Sequence, residues 1–429
     1  AELGDAAGEA KAHTVRASCL ARLGRVGDCE TALDQALTAA RRAHDHRRVN
    51  AVLAGAPLAA LWGPNPVPRA GGRCLDVVRL LRITTGSPVV EATSTRCQGV
   101  LDALRGRAAA GRQLIESARR TLNELGMRHA VLEVEQFAGI IELIAEDAAA
   151  AERHLRKAYN GFRRMGLDAD TAETAALLAR ACLALDRAAE AGELCTESER
   201  LAGHAFKAAI AWRSVRAQLL ARSGDHNEAR RVAEDAVAIA ERTDALVDHG
   251  DACLALATLL DVAGDTAGAR AAAERAAGLY ELKGATALVE KARRLCVGAE
   301  IPPTAAPAER VIAAADTECV RRIRRLDAAV DREDWADFAG LFATNVSVES
   351  RRKVVGFDRL VFSSSECVRE IRQICETDAV RRSHEILAVR GERVALTRMA
   401  IGTADESPGA ARDELLELFG LDPTDRLAP

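Results

Sequence analysis

The apolar residues between positions 249 and 283 form two helical patterns separated by one short turn. The first pattern consists of Cys253, Leu254, Leu256, Ala257 and Leu260, and the second of Ala269, Ala273, Ala276 and Leu279. Gly264 gives the first helix a place to end, and Asp265 can cap the second. Residues 211–242 repeat this arrangement around Gly224 and Asp225. The pattern therefore predicts successive helix pairs.

Turns of this kind recur about every 40 residues along the first two thirds of the chain. They lie at Gly27-Asp28, Asn65-Pro66, Gly106-Arg107, Glu146-Asp147, Asp186-Arg187, Gly224-Asp225 and Gly264-Asp265. Five residues after each turn stands a small residue: Ala32, Ala70, Gly111, Ala151, Ala191, Ala229 and Ala269. Small residues let neighbouring helices approach closely. We therefore predict stacked helix pairs and not a single globular core.

The spacing of small residues, leucine, Gly-Asp and alanines in residues 217–236 and 257–276 resembles the tetratricopeptide repeat. The period here is nearer 40 than the usual value of about 34 residues, so longer helices or loops are expected. The resemblance covers residues 1–296 and implies an all-α helical-repeat solenoid of about seven helix pairs. It is specific as to fold and does not indicate which protein or peptide is the partner.

First-helix residues opposite the packing positions line the concave surface of such a solenoid. Counted from the turns, the candidates for a peptide groove are Glu133, Gln136, Glu173, Arg180, Gln218, Asp251, Thr258 and Asp261. Their mixed, mostly acidic character predicts a basic or polar peptide. The alternative for each of them is an ordinary solvated helix face.

The sequence changes character at residues 297–309, where three prolines within six residues predict an extended linker. Residues 310–429 then hold several of the few aromatic residues. Helices are predicted at 310–331, around Trp335 to Phe342 and at 360–375, and strands at 346–355, 381–389, 393–401 and 414–425. This order predicts a small α+β domain.

The second domain resembles the SnoaL-like, nuclear-transport-factor-type α+β cone. The residues that carry this resemblance are Asp331, Trp335, Phe338, Leu341, Phe342, Val348, Glu349, Arg351, Arg352 and Gly356. The final strand of the family is missing, so we expect an incomplete cone. Such cones hold small molecules, and the pocket candidates are Trp335, Phe338, Phe342, Glu349, Arg351, Arg352 and His384. The alternative is that these aromatics are core and the arginine pair is solvated.

A degenerate tetratricopeptide array, a proline linker and a SnoaL-like domain, in this order, resemble the C-terminal half of bacterial adenylate/guanylate cyclase–ATPase–tetratricopeptide signalling proteins. In those relatives a cyclase domain and a P-loop ATPase precede the repeats, and neither motif occurs here. The resemblance implies a regulatory scaffold segment whose partners include those missing catalytic domains. Two alternatives remain: small-molecule binding or isomerase/cyclase-like activity in the cone, and the effector part of an ATPase-type transcription regulator.

Composition narrows the function classes. Hydrophobic residues reach 48% but aromatics only 3%, which favours a core of Ala, Leu, Val and Ile. The net charge of −4 argues against a nucleic-acid partner. No sequence pattern for a metal or a cofactor is present, and no apolar stretch is long enough for a membrane span. The eleven scattered cysteines are expected to be reduced thiols, which fits a cytoplasmic protein.

Overall fold

The computed structural model describes residues 5–84, 86–295, 316–350, 357–375, 382–402, 410 and 412–427. Fifteen helices occupy the first two described stretches: α1 (Ala6–Arg22), α2 (Val26–Arg42), α3 (His46–Trp62), α4 (Val67–Thr84), α5 (Pro88–Leu104), α6 (Ala108–Glu124), α7 (Arg128–Ile144), α8 (Ala148–Arg164), α9 (Asp168–Ala184), α10 (Ala188–Ala202), α11 (Phe206–Arg222), α12 (His226–Ala240), α13 (Leu246–Val262), α14 (Thr266–Lys283) and α15 (Thr286–Arg294). Short turns join them, so neighbours run antiparallel and pack along their lengths. The predicted tetratricopeptide-like helical repeat fold is confirmed.

The turns form for the reasons that the sequence indicates. Gly264 adopts a left-handed φ of 81°, and the Asp265 side chain accepts a hydrogen bond from the Gly268 amide at 2.9 Å. Only a residue without Cβ adopts such a φ at no steric cost, and an aspartate cap satisfies an amide that the helix cannot. Gly224 and Asp225 repeat this geometry at the start of α12.

The first predicted turn, Gly27-Asp28, is wrong. Both residues lie in the first turn of α2, and the chain reverses at Gly24, whose φ is 74°. The two glycines stand three residues apart, and the local pattern cannot tell which of them is left-handed. The outcome depends on a distant residue, because Asp244 accepts hydrogen bonds from the amides of Val26 and Gly27.

Small residues let the helices approach closely, as expected. Helices α5 and α6 approach closely, since a Cβ built on Gly111 would lie 2.4 Å from the carbonyl oxygen of Gly99. A Cβ on Gly139 would lie 2.4 Å from the Leu155 side chain. These positions hold glycine because the neighbouring helix occupies the space of a side chain.

The array closes on itself, since its first helices contact its last ones. The Asp244 carboxylate accepts hydrogen bonds from Val26 and Gly27 at 2.8 and 2.7 Å. The Lys283 ammonium donates to the carbonyl oxygen of Gly63 at 2.8 Å and to that of Ala60 at 3.3 Å. Both contacts join residues more than 200 positions apart. The odd-numbered helices therefore surround a common interior.

The described residues of the C-terminal unit form three helices and five strands: α16 (Glu318–Asp331), α17 (Trp335–Gly340), β1 (Asn345–Ser350), β2 (Phe357–Ser363), α18 (Ser364–Cys375), β3 (Arg382–Arg390), β4 (Val394–Gly402) and β5 (Arg412–Gly420). β1 pairs antiparallel with β2, and β3, β4 and β5 form an antiparallel sheet in that order. Residues 360–363, predicted as helix, belong to β2. A small α+β region is therefore present after the array.

The described helices include none that is both long and apolar enough to cross a membrane. Of the nine cysteines whose side chains the structure describes, seven are buried, and all nine are free thiols. Burial raises the pKa of Cys97 and of Cys195 to about 12, so both thiols stay protonated.

Candidate binding site in the helical array

A cavity of about 350 Å³ opens between α9, α11 and α13 on the inner side of the array. Its walls are mostly aliphatic, with Leu177, Ile210 and Leu254 among them. Its polar lining includes four of the eight groove candidates, which are Arg180, Gln218, Asp251 and Thr258. Helices α9, α11 and α13 are the first helices of their pairs. The structure thus brings these four side chains together on the concave side.

A smaller inner chamber of about 60 Å³ continues from this cavity, and the two share the side chains of Leu177, Arg180, Ala211, Asp248 and Asp251. Every odd-numbered helix from α3 to α15 contributes to its lining. One groove candidate, Glu173, lies here beside Trp62 and Lys207. The inner chamber is thus much smaller than the cavity between α9, α11 and α13 that it adjoins.

Arg180 and Asp251 form an ion pair across the cavity at 2.8 Å. Asp251 also accepts a hydrogen bond from the Tyr280 hydroxyl at 2.6 Å. Burial and the neighbouring Asp251 hold the pKa of Tyr280 well above its ordinary value, so this hydroxyl stays a donor. Arg180 is thereby held in place, and its guanidinium has further donors available to a ligand.

A second ion pair joins Lys207 and Asp248, with the Lys207 nitrogen 3.0 Å from a carboxylate oxygen. The same nitrogen lies 3.8 Å from the centre of the Trp62 ring. A cation over an indole face is attracted by the ring quadrupole. Lys207 is therefore engaged from two sides, and it links α11 to α13 and to α3.

Glu173 differs from the other charged side chains of the chamber. Within the part of the chain that the structure describes, it makes no hydrogen bond and no ion pair. Burial raises its pKa; Lys207 opposes this shift, whereas Asp248 adds to it. Glu173 is thus a half-buried carboxylate without a hydrogen-bond or ion-pair partner, in a chamber whose other charged side chains are paired.

The other three groove candidates lie elsewhere. Glu133 is paired with Arg96 at 2.8 Å. Gln136 is only 8% exposed, and its amide donates to the Thr174 hydroxyl at 3.0 Å, so it is an interior residue and does not face a groove. Asp261 is exposed and does not line the cavity. These three residues show that counting along a helix predicts which residues lie on its inner face, but does not predict how deeply each side chain is buried or which partner it has.

The cone-pocket candidates that the structure describes take core and clamping positions. Phe338 and Phe342 are buried and contact each other with tilted rings, and Trp335 packs edge-on against Phe338 in the core of the C-terminal unit. His384 is buried between the carboxylates of Asp327 and Glu417. The Glu349 side chain, Arg351 and Arg352 lie outside the described residues. These aromatic rings pack in a core whose other buried residues are mostly aliphatic.

Sequence reasoning missed Lys207, Asp248 and Lys283. One signal could have found two of them, since the chain has only six lysines among many arginines. Lysine at a helical position of such a chain is unusual, and three of the six lysines (207, 283 and 291) lie in or beside the closed interior.

No protein-family profile matches the chain, and no curated protein matches it. Several solved structures are similar in fold. NprR in complex with its cognate peptide NprX shares 14% identity over 58% of this chain and 73% of its own, with a TM-score of 0.45. The apo form of RapI shares 11% identity over 67% of this chain and 98% of its own, with a TM-score of 0.43. Tetratricopeptide-like repeats of a Podosopora anserina kinesin light chain share 16% identity over 46% of this chain and 97% of their own, with a TM-score of 0.33. Identities and TM-scores this low establish neither family nor function.

Proposed function

We propose that the chain is an interaction module that binds a peptide or protein segment in the cavity between α9, α11 and α13. The observation that carries the proposal is the cavity itself, whose aliphatic walls surround Arg180, Asp251, Gln218 and Thr258. Its volume of about 350 Å³ is suited to one or two side chains of a partner. Apolar walls with a few convergent polar groups are what recognition of a short segment requires.

We also propose that this module is a regulatory segment of a cytoplasmic signalling protein of the adenylate/guanylate cyclase–ATPase class. The support is the order of parts, in which a helical repeat array precedes a small α+β unit that resembles a SnoaL-like cone. In such a protein the partner bound by the array would be a separate polypeptide or the protein's own catalytic domains. The chain would then act by binding and not by chemistry of its own.

A displayed library of random twelve-residue peptides tests the binding proposal. We expect the chain to enrich a defined set of peptides, and we expect Ser214→Trp to abolish this enrichment, because Ser214 lines the cavity and an indole there would fill it. Ser18→Trp is the matched control, since Ser18 is an exposed serine of α1. Equal enrichment by both variants, or none by the unaltered chain, would contradict the proposal.

A further inference from the structure

We infer that the inner chamber binds a positively charged group on an aliphatic stem, through the carboxylate of Glu173. In the proposed function this group is the lysine or arginine side chain of the bound peptide. The inference rests on that proposed function and deepens it, because it names the residue type that the partner inserts.

The first argument is the charge balance of the chamber. Three carboxylates line it, those of Glu173, Asp248 and Asp251, against the two cations Lys207 and Arg180. Both cations are engaged, since Lys207 pairs with Asp248 at 3.0 Å and Arg180 with Asp251 at 2.8 Å. One negative charge remains, and it is on Glu173.

The second argument is the set of charged groups that surround Glu173. Burial raises its pKa, and Asp248 and Asp170 add to this shift, whereas Lys207 and Arg22 oppose it. A buried carboxylate without a partner is costly, and a cation that makes a charge-assisted hydrogen bond to it removes most of that cost. An anionic ligand would add to the repulsion. A neutral ligand would leave the carboxylate uncompensated.

The third argument is the shape and lining of the space. The remaining walls of the chamber are apolar, with Trp62, Leu104, Ile144, Leu177 and Leu288 among them. The volume of about 60 Å³ corresponds to about two water molecules at about 30 Å³ each. An ammonium group with its last methylene fits this space, while the rest of the stem and the peptide backbone occupy the larger adjoining cavity.

The test compares the unaltered chain with Glu173→Gln and with Asp261→Asn in the same random peptide selection. Asp261 is the matched control, because it is an exposed carboxylate on α13 outside the cavity. Removing a desolvated charge should not harm folding, which far-UV circular dichroism checks. We expect the unaltered chain and Asp261→Asn to select peptides with a Lys or Arg at one fixed position. Glu173→Gln should bind the best of these peptides about 10-fold or more weakly than the unaltered chain does. It should bind that peptide and an analogue with norleucine in place of the basic residue equally well.

Free n-butylamine and n-butylguanidine, which mimic the ends of lysine and arginine side chains, test the cation site without a peptide backbone. Competition of either with the selected peptide, lost in Glu173→Gln, supports the cation site. Binding of the amines in a chain that captures no peptide would also support it, but would overturn the proposed peptide function. Selected peptides without a basic residue, or with affinity unchanged in Glu173→Gln, would overturn the inference and leave the proposed function intact. Failure of every peptide and both amines would overturn both.

Discussion

The helical array and the C-terminal unit each use one buried cation to join segments that are distant in sequence, but they give it different partners. Lys283 is fully buried and donates to two backbone carbonyls at the end of α3. The His384 side chain is 1% exposed and lies between two carboxylates, Asp327 from α16 and Glu417 from β5. The buried cation of the array thus has neutral acceptors, and that of the C-terminal unit has charged ones.

This difference gives the two cations opposite pKa shifts. Burial lowers the pKa of Lys283 to about 7; Lys207 adds to this shift, and Asp248 and Glu30 only partly offset it. Burial would also lower the pKa of His384, but its hydrogen bonds to Asp327 and Glu417 outweigh this and raise it to about 9. Burial disfavours the charged form of both cations, and only the two charged acceptors of His384 outweigh it.

The largest expected effect breaks the clamp of the C-terminal unit. Asp327→Ala removes one of the two carboxylates from His384, and we expect it to lower the free energy of unfolding of this unit by about 4 kcal/mol, because a buried charge loses its partner. Urea unfolding followed by Trp335 fluorescence in a Trp62→Phe, Trp212→Phe background measures it. Asp331→Ala is the control on the exposed side of the same helix, and equal losses in the two variants would refute the clamp.

A second prediction concerns the pH response of the array. Lys283 binds its proton more weakly in the folded state, with a pKa of about 7, than in the unfolded chain, where it is near 10.5. The unfolded state therefore binds more protons between these values, and the array gains stability as pH rises from 7 to 10, by between about 3 and 4 kcal/mol. Urea unfolding by circular dichroism at 222 nm measures this gain. It should be absent in Lys283→Met and present in Lys11→Met, an exposed control.

The C-terminal unit should respond in the opposite direction. The pKa of His384 is raised from 6.5 to about 9 in the folded state, so its stabilising contribution is complete below pH 6.5 and is lost as pH rises through 9. The expected loss is about 3 kcal/mol. Trp335 fluorescence in the same background follows it, with His384→Gln as the flat reference. A loss of the same size in His384→Gln would show that other groups cause it.

The smallest effect tests how far the closure of the array extends. Asp244→Ala removes the acceptor for the first amides of α2 and should cost about 1 kcal/mol, as other helix caps do. Hydrogen exchange should then quicken in residues 26–30, far from the substitution in sequence. Asp225→Ala removes a cap within its own turn and should affect only the start of α12. Unchanged exchange in residues 26–30 would show that the contact contributes little.

The helical repeat could be predicted because its signals are local. Gly264 and Asp265 mark a turn wherever the chain lies, and Gly111 records the close approach of the preceding helix. The closure of the array could not be predicted in the same way. Lys283 reaches the carbonyl oxygen of Gly63, and Asp244 the amide of Gly27, only when the whole array has folded. A periodic sequence pattern predicts contacts between neighbouring helices, but it does not predict contacts between the two ends of the array.

The candidate site shows the same division. Glu173, Arg180, Asp251, Gln218 and Thr258 could be placed on the inner face by counting, because a helix has a fixed period. Their pairing could not be predicted, since Arg180 meets Asp251 across 71 residues of chain.

The lysine bond to Gly63 also has a consequence for synthesis on the ribosome. The carbonyl of Gly63 leaves the exit tunnel 220 residues before its donor does. At about 5–20 residues per second, the donor follows about 10 to 40 s later. Throughout that interval the nascent N-terminal helices have one seam that no other part of the emerging polypeptide can cover, and they are exposed there to chaperones and proteases.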